Sequence, residues 1–414
     1  LAKRSNGILV LGINYAPDLI GISKYTTELC EELVRRGYSV SVVTAPPYYP
    51  AWQVPAEYRK GWWTSDLNGV EVHRVPIFVP PNPTGLTRLL HLLSFSLASF
   101  LPCVSLAVRS RPQHVISVAP SLLSAPVALL AAKICGARTW LHIQDFEVDA
   151  AFELGMLQGA APRRLALGLE RAILRSFDRV STISGNMLKL LSRKGVEPGA
   201  AIELRNWVDI DTIVPLPSSN TAFRKELGLA ESDIVALYSG NMAAKQGLEV
   251  LAEVATLLEK ETRSVKLILC GRGPLRNELF VRCKGLSNVH FLDLQPLERL
   301  SELLSTADIH LLPQRPEAAD LVLPSKLTGM LASGRPIVAM ANEGTALADE
   351  VDGCGVVVRP SDAADMVSAI KALSVDAALR SNLGKEARKR AESRWQKRNI
   401  IDRFVQDMSS STAL

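Results

Sequence analysis

Short, almost wholly apolar runs punctuate the chain, and each leads into a glycine- or proline-bearing loop and then a stretch whose apolar positions return at helical spacing. The first run, Gly7 to Ile13, precedes a loop through Asn14, Pro17 and Gly21, a helical pattern from Ser23 to Arg36 closed by Gly37, and a second run from Val40 to Thr44. Strand, loop, helix and strand in this order predict a βαβ unit. Val115 to Val118, Thr139 to Ile143 and Arg179 to Ile183 extend it, so the first half reads as a doubly wound α/β sheet.

The pattern restarts after Asn206-Trp207-Val208-Asp209 and the proline-bearing stretch Pro215 to Ser219. Ile234 to Tyr238 reads as a strand, followed by a glycine-containing loop and a helix from Leu248 to Lys260. Lys266 to Cys270, Val289 to Phe291, Ile309 to Leu312, Pro336 to Met340 and Gly355 to Val358 supply further strands. A long helical pattern from Ala378 to Met408 carries Trp395 and Phe404 and is expected to cross back onto the first domain. The expected organisation is an α/β pair of Rossmann-like domains facing each other across a cleft. Residues 1–205, with a C-terminal helix over about 395–414, form the first; residues 206–394 form the second.

The 414-residue length suits two domains, each able to bury its own core. Six cysteines, Cys30, Cys103, Cys135, Cys270, Cys283 and Cys354, show no C-x-x-C spacing, which argues against a zinc site or a disulfide framework and for a reducing, cytosolic compartment. The residues before Gly7 are too few for a secretory leader, and the apolar run after them reads as the first strand. Net charge is +5 but uneven: residues 1–200 hold 21 of the 47 Lys and Arg and only 14 of the 42 Asp and Glu. A basic first half attracts nucleic acid or anionic lipid. Zinc-finger spacing, RNP-like aromatics and long basic runs are missing, so nucleic acid is not expected as a partner. Leu89 to Val108, about 20 mostly apolar residues between Arg88 and Arg109, is long enough to span a bilayer. His91, Pro102 and four serines within it favour a buried or interfacial helix instead.

In open α/β sheets ligands sit beyond the carboxyl ends of the strands. In the second domain those loops are Gly240 to Gly247, with Asn241 and Lys245; Gly271 to Pro274, with Gly273; Leu292 to Pro296, with Leu294; and the segment after Leu312. The last carries Asp320, Ser325 and Lys326 ahead of a short helix expected from Leu327 to Ser333. Glycines at 240, 271 and 273 let a ligand approach the backbone, and Lys245 and Lys326 offset phosphate charge, so these loops together indicate a nucleotide diphosphate site. A dehydrogenase would need G-x-G-x-x-G after the first strand and an acid ending the second. Here the first loop offers Gly12 and Gly21 alone, and the second strand runs into Thr44-Ala45-Pro46.

At this level of detail NYAPDLIGISKYTTELCEELVRRGYSVSVVTAPPYYPAW, HIQDFEVDAAFELG, NWVDIDTIVP, YSGNMAAKQGLEVL, GRGPLRNEL and DLVLPSKLTGMLASGRPIVA resemble the retaining glycosyltransferase family 4, and within it the colanic-acid-type fucosyltransferases of exopolysaccharide assembly. The resemblance covers nearly the whole chain. It implies a GT-B fold, a nucleotide-diphosphate sugar such as GDP-fucose held by the second domain, and an acceptor held by the first. The acceptor is expected to be a polyprenyl-diphosphate-linked oligosaccharide at the inner face of a bacterial inner membrane, with the protein peripheral on its cytoplasmic surface. No metal and no other cofactor are implied, and the resemblance makes Asp209-Ile210-Asp211 a structural turn in the linker rather than a metal motif. On the first-domain side it points to the Gly21 loop near the diphosphate and to HIQDFE, with His142, Asp145 and Glu147 just after a strand; His142 and Asp145 are the catalytic candidates, Asp145 orienting the acceptor hydroxyl or taking its proton. Asp145 equally suits the N-cap of a helix from Phe146 to Leu154.

The chain departs from the family in two places. Asn241 stands where many members carry arginine, and Gly329 where they carry the second of two glutamates; Asp320 is the plausible substitute for the first. Two alternatives follow: a GT-B epimerase of UDP-sugars, or a catalytically weak protein that only binds a sugar nucleotide.

Overall fold

A sheet whose faces are both covered by helices buries every residue of its inner strands, and that is the fate of the apolar runs. The computed structural model describes residues 6–18, 21–49, 51–148, 159–243, 246–315 and 323–410. Residues 1–205 and 206–414 form two separate compact units.

The first unit is built on eight strands: β1 (Gly7–Gly12), β2 (Ser39–Thr44), β3 (Trp63–Leu67), β4 (Val70–Arg74), β5 (His114–Ala119), β6 (Arg138–Ile143), β7 (Arg179–Thr182) and β8 (Ala201–Glu203), in the order β3-β4-β2-β1-β5-β6-β7-β8. All neighbours run parallel except β3 and β4. β1 and β5 are buried throughout. The β3–β4 hairpin has no apolar run in the sequence because it forms the sheet edge: β3 is never fully buried, and β4 alternates buried with half-buried residues. Its turn is Asn68-Gly69, both at positive φ, as a tight hairpin requires.

Helix α1 (Ile22–Arg35) follows the first strand after Gly21, whose φ of 67° suits glycine. Helix α2 (Gly85–Ser110) starts at a reciprocal cap: Thr84 N–H donates to Thr87 Oγ1 at 2.8 Å, and Thr87 N–H returns to Thr84 Oγ1 at 3.4 Å. One side of α2, with Phe95, Ser99, Cys103 and Leu106, is buried in the core it shares with β1, β2 and α3 (Ala125–Cys135). The opposite side, with Leu89, Leu93, Leu97 and Leu101, is exposed. α2 is the one described helix long and apolar enough to cross a membrane, and a third of its apolar window is buried in the protein.

The second unit is a six-stranded, wholly parallel sheet: β9 (Ile234–Ser239), β10 (Val265–Cys270), β11 (Val289–Leu292), β12 (Ile309–Leu312), β13 (Ile337–Met340) and β14 (Gly355–Val358), ordered β11-β10-β9-β12-β13-β14. Every strand expected here is present within one or two residues. The single C-terminal helix expected from Ala378 to Met408 is interrupted: helix Ala377–Arg390 passes into a wider turn, Ala391–Trp395, and a new helix, Lys397–Ser410, begins after Gln396. The linker causes the break. Val208 N–H donates to the Trp395 carbonyl at 2.8 Å and Lys397 N–H to the Val208 carbonyl at 3.1 Å, so a short parallel bridge takes up backbone groups that the helix would use. Trp395 is buried in the second unit's core and donates its indole N–H to Glu350 at 3.2 Å. By its contacts the C-terminal helix groups with residues 206–414, whereas the sequence reading gave it to the first domain.

Candidate functional site

In the second unit the chain winds from β9 outwards through β10 to β11, then returns to place β12 on the other side of β9. Ligands of doubly wound sheets gather at this reversal, beyond the carboxyl ends of β9 and β12. Lys326 reaches this point from helix Lys326–Ala332. Its Nζ donates to the Tyr238 hydroxyl at 2.9 Å and to Gln246 Oε1 at 2.7 Å. Tyr238, the penultimate residue of β9, is fully buried, and burial pushes its pKa well up, so the phenol stays neutral. It donates onward to the Asn241 carbonyl at 2.6 Å. One hydrogen-bonded chain therefore ties the glycine loop after β9 to the helix that carries the lysine.

The loops after β9 and β10 lie against each other through backbone pairing: Gly240 N–H to the Cys270 carbonyl at 3.0 Å, and Met242 N–H to the Arg272 carbonyl at 2.8 Å. That closeness explains two of the glycines. A Cβ at Gly271 would stand 1.9 Å from the Gly240 carbonyl oxygen and one at Gly273 2.5 Å from that of Met242, and both residues have φ of 150°. At Gly240 a Cβ would be 3.5 Å from Lys326 Cδ, so the lysine stem lies over that residue.

The other candidates of this unit are placed less closely. Ser325 is exposed and immediately precedes Lys326; it makes no side-chain cap. Leu294, after β11, is largely exposed. Lys245 and Asp320 lie outside the described residues. Gly329 is inside the helix, and a Cβ there would meet Leu304 Cδ1 at 3.3 Å. Asp209 accepts the N–H groups of Asp211 at 3.0 Å and Thr212 at 3.2 Å, the geometry of a turn in the linker. No cluster of metal-binding side chains occurs among the described residues.

In the first unit the chain reverses between β1 and β5. Beyond β1, Arg74 is buried and binds the Ala16 carbonyl and, at 2.8 Å, the Ala45 carbonyl, joining the loops after β1 and β2. Asp18 lies in this loop; burial raises its carboxyl to about 6 against the opposing pull of Arg74. Asn14 Nδ2 approaches the Tyr48 hydroxyl at 3.4 Å. Gly21 caps α1, and no atom lies within 4 Å of where its Cβ would be.

Beyond β5 and β6 the carboxylate of Glu147 turns inwards and accepts the backbone N–H groups of Ser121 and, at 3.2 Å, of Leu122. Burial raises its pKa from 4.5 to about 7; those two N–H groups pull the other way, and the charge of Asp145 adds to the rise. Ser121 is buried at φ 109°, a strained conformation for a residue with a Cβ, of the kind that gathers at functional sites. Asp145, separated from Glu147 by Phe146, is half-buried, and most of the helix it was expected to cap lies outside the described residues. His142 is packed within β6. Its Nδ1 faces Ser181 Oγ at 2.9 Å, its Nε2 faces Gln144 at 2.8 Å, and burial lowers its pKa to about 4. A neutral ring with both nitrogens engaged supports the sheet rather than reaching a substrate.

The sequence does not single out Tyr238, Gln246, Asp18 or Tyr48 as site groups, whereas Glu147 stands with His142 and Asp145 in HIQDFE. Gln246 stands inside GNMAAKQG. Tyr238 looked like an ordinary strand residue, and only its partner Lys326 gives the hydroxyl a role.

Known proteins resemble this chain in sequence and in fold. The description of glycosyl transferase 4-like domains matches residues 21–207, and that of glycosyl transferases group 1 matches residues 219–390. The putative colanic acid biosynthesis glycosyl transferase WcaI of Escherichia coli strain K12 is 40% identical over 408 residues, 97% of this chain and 99% of its own. The GDP-mannose-dependent alpha-(1-6)-phosphatidylinositol monomannoside mannosyltransferase of Mycolicibacterium smegmatis is 25% identical over 97% of this chain and 98% of its own. Sucrose-phosphate synthase of Thermosynechococcus elongatus superposes with a TM-score of 0.74 at 18% identity, covering 99% of each chain. HepE of Anabaena, solved with UDP and glucose, superposes with a TM-score of 0.69 at 15% identity, covering 98% of this chain and 99% of its own. At those identities the two structures speak for the fold alone.

Proposed function

The chain belongs to the glycosyltransferases that join a glycosyl transferase 4-like domain to a group 1 domain in the GT-B fold, and on that premise we propose that it moves a sugar from a nucleotide diphosphate to a lipid-linked oligosaccharide during assembly of a bacterial surface polysaccharide. The second unit holds the donor and the first the acceptor. The observation that carries this reading is the placement of Lys326 by Tyr238 and Gln246 at the chain reversal of the second sheet, beside the glycine loops. A held ammonium beside glycines that let a ligand approach the backbone suits a diphosphate whose charge grows as it departs. The relative in E. coli, named for colanic acid biosynthesis, supports the polysaccharide context. GDP-fucose is the first donor to test.

The transfer is retaining and needs no metal. The bond from the sugar's anomeric carbon to the phosphate oxygen breaks, a bond to the acceptor oxygen forms on the same face, and the acceptor proton passes to the leaving phosphate. Such chemistry rests on positioning and anion stabilisation. Lys326 meets the departing charge, and Asp145 orients the acceptor hydroxyl. The exposed leucine stripe of α2 and the basic first half support a peripheral position on the inner face of the membrane.

Thermal shift against GDP, UDP and dTDP is the first test, since a ligand well above its Kd stabilises the fold by a few kcal/mol. A shift with one base, followed by sugar transfer to a lipid-linked acceptor, bears the reading out; a shift with none rejects a donor site. Gly329, which offers no carboxylate to a ribose, favours a second reading: a binding protein that shifts with a nucleotide and transfers nothing.

A further inference from the structure

A cavity of about 760 Å³ opens in the first unit between the loop after β2 and the connector from β4 to α2. Its lining joins the apolar groups Pro46, Trp52, Ile77, Val79 and Pro81 to the polar side chains Gln53, Tyr58 and Arg59. The size is that of a small-molecule site, and aromatic and proline faces beside a few polar groups suit an amphiphilic ligand. Side-chain packing holds the walls. The Tyr58 and Trp63 rings meet at a centroid distance of 6.0 Å, and the Arg74 guanidinium sits beside both, 5.5 Å from each centroid. Trp52 packs with Tyr48 and His91 at centroid distances of 5.5 and 5.4 Å, and the Arg88 guanidinium covers it at 5.4 Å.

Two continuities give the cavity a direction. Trp52 leads through Tyr48 to Asn14 at the carboxyl end of β1, on the acceptor side of the proposed reaction. On the other side the lining residues Ile77 and Val79 flank Phe78, which is 46% exposed and pinned to α2: its N–H donates to Ser94 Oγ at 2.9 Å, and its carbonyl lies 2.6 Å from His91 Nδ1. From there the exposed stripe of α2 runs on through Leu86, Leu90, Leu93 and Leu97, the last 69% exposed. Residues 72–144 contain no Asp or Glu, while Arg74, Arg88, Arg109, Arg111, Lys133 and Arg138 lie among them. An apolar stripe in an acid-free, basic stretch complements an anionic lipid surface.

We propose that this cavity seats the first isoprene units of a polyprenyl diphosphate acceptor, drawn from a membrane surface on which α2 rests, with Arg59 and Arg88 facing the diphosphate. The inference rests on the lipid-linked acceptor of the proposed function and names where its chain is held. Branched methyl groups and double bonds pack well on proline rings and aromatic faces, and each buried methylene adds about 0.8 kcal/mol, so a few isoprene units discriminate strongly against a bare diphosphate.

The test uses the full chain with farnesyl diphosphate and inorganic diphosphate as probes, read by Trp fluorescence or calorimetry. Farnesyl diphosphate is expected to bind at least about tenfold more tightly, and Val79→Trp, which thrusts a larger ring into the cavity, to remove that advantage while the nucleotide shift stays unchanged. Equal affinity for the two probes, or an advantage that survives Val79→Trp, overturns the inference. A diazirine-bearing farnesyl diphosphate provides a check on the unaltered protein: labelling within residues 46–61 and 75–81 supports the cavity, and labelling elsewhere rejects it. Transfer assays keep the two readings apart. Equal KM for octyl-linked and farnesyl-linked sugar diphosphates would end the cavity proposal and leave the transferase standing. Cavity labelling without transfer to any lipid-linked sugar would do the reverse.

Discussion

Lys326 Nζ donates to the Tyr238 hydroxyl across 2.9 Å, joining a helix to a strand 88 residues earlier in the chain. The same hydroxyl donates to the Asn241 carbonyl at 2.6 Å, so the position of the ammonium and the shape of the glycine loop are set together. A lysine on a flexible stem loses several rotatable bonds' worth of freedom when it binds an anion; one already held loses less.

Lys326→Ala is therefore expected to weaken donor nucleotide binding by about 10- to 100-fold in calorimetry, the range of a lost charge-assisted contact. Tyr238→Phe keeps the ring and the charge but releases the lysine, and its loss stays below about tenfold. If binding is unchanged in Lys326→Ala, the residue has no part in the donor site.

Gly271→Ala forces a Cβ to within 1.9 Å of the Gly240 carbonyl. Neither loop can yield without breaking the backbone pairing between them, so destabilisation of about 3 kcal/mol or more is expected in denaturant unfolding, with donor binding lost alongside. Gly344→Ala, at a glycine of positive φ with no atom within 4 Å of its Cβ position, serves as the control and costs about 1 kcal/mol. A mild Gly271→Ala would mean that the two loops lie further apart.

Glu147 gives the first unit a pH dependence whose sign is fixed by its raised pKa. Between about 4.5 and about 7 the native carboxyl keeps a proton that the unfolded chain has released. Its contribution is fully present below about 4.5 and is lost as pH rises through about 7, a fall of roughly 1–3 kcal/mol. Glu147→Gln is expected to flatten this part of the stability profile and to remove an ionisation near neutrality from the transfer rate. A Gln variant with the parent's slope would place the titration elsewhere.

Asp145→Asn is expected to lower the transfer rate by about 100-fold or more with donor affinity unchanged, the signature of a group that orients the acceptor hydroxyl in the transition state. His142→Gln, by contrast, changes the packing between β6 and β7 and shows up mainly in thermal stability. Intact transfer in Asp145→Asn would leave that carboxylate a local structural role.

The leucine stripe of α2 predicts adhesion to lipid. Leu93→Gln with Leu97→Gln alters two exposed side chains, so the fold survives, while cosedimentation with anionic vesicles falls by about tenfold. Unaltered cosedimentation would put the lipid contact on another face.

The sequence by itself determined the two doubly wound sheets, because strands buried on both faces are mostly apolar, and β1, β5, β10 and β12 therefore announce themselves. It also marked the glycine loops and Lys326, whose residue types have few uses at the end of a strand. Where one face meets water, as in the β3–β4 hairpin, the apolar signal thins and the strands went unread. What only the tertiary structure decided depends on partners distant in the chain: the helix break at Gln396 needs Val208, the role of Tyr238 needs Lys326, and the near-neutral pKa of Glu147 needs burial that outweighs the N–H groups of Ser121 and Leu122. Hydrogen bonds and desolvation act through space over a few ångströms, and the order of residues along the chain does not carry those distances.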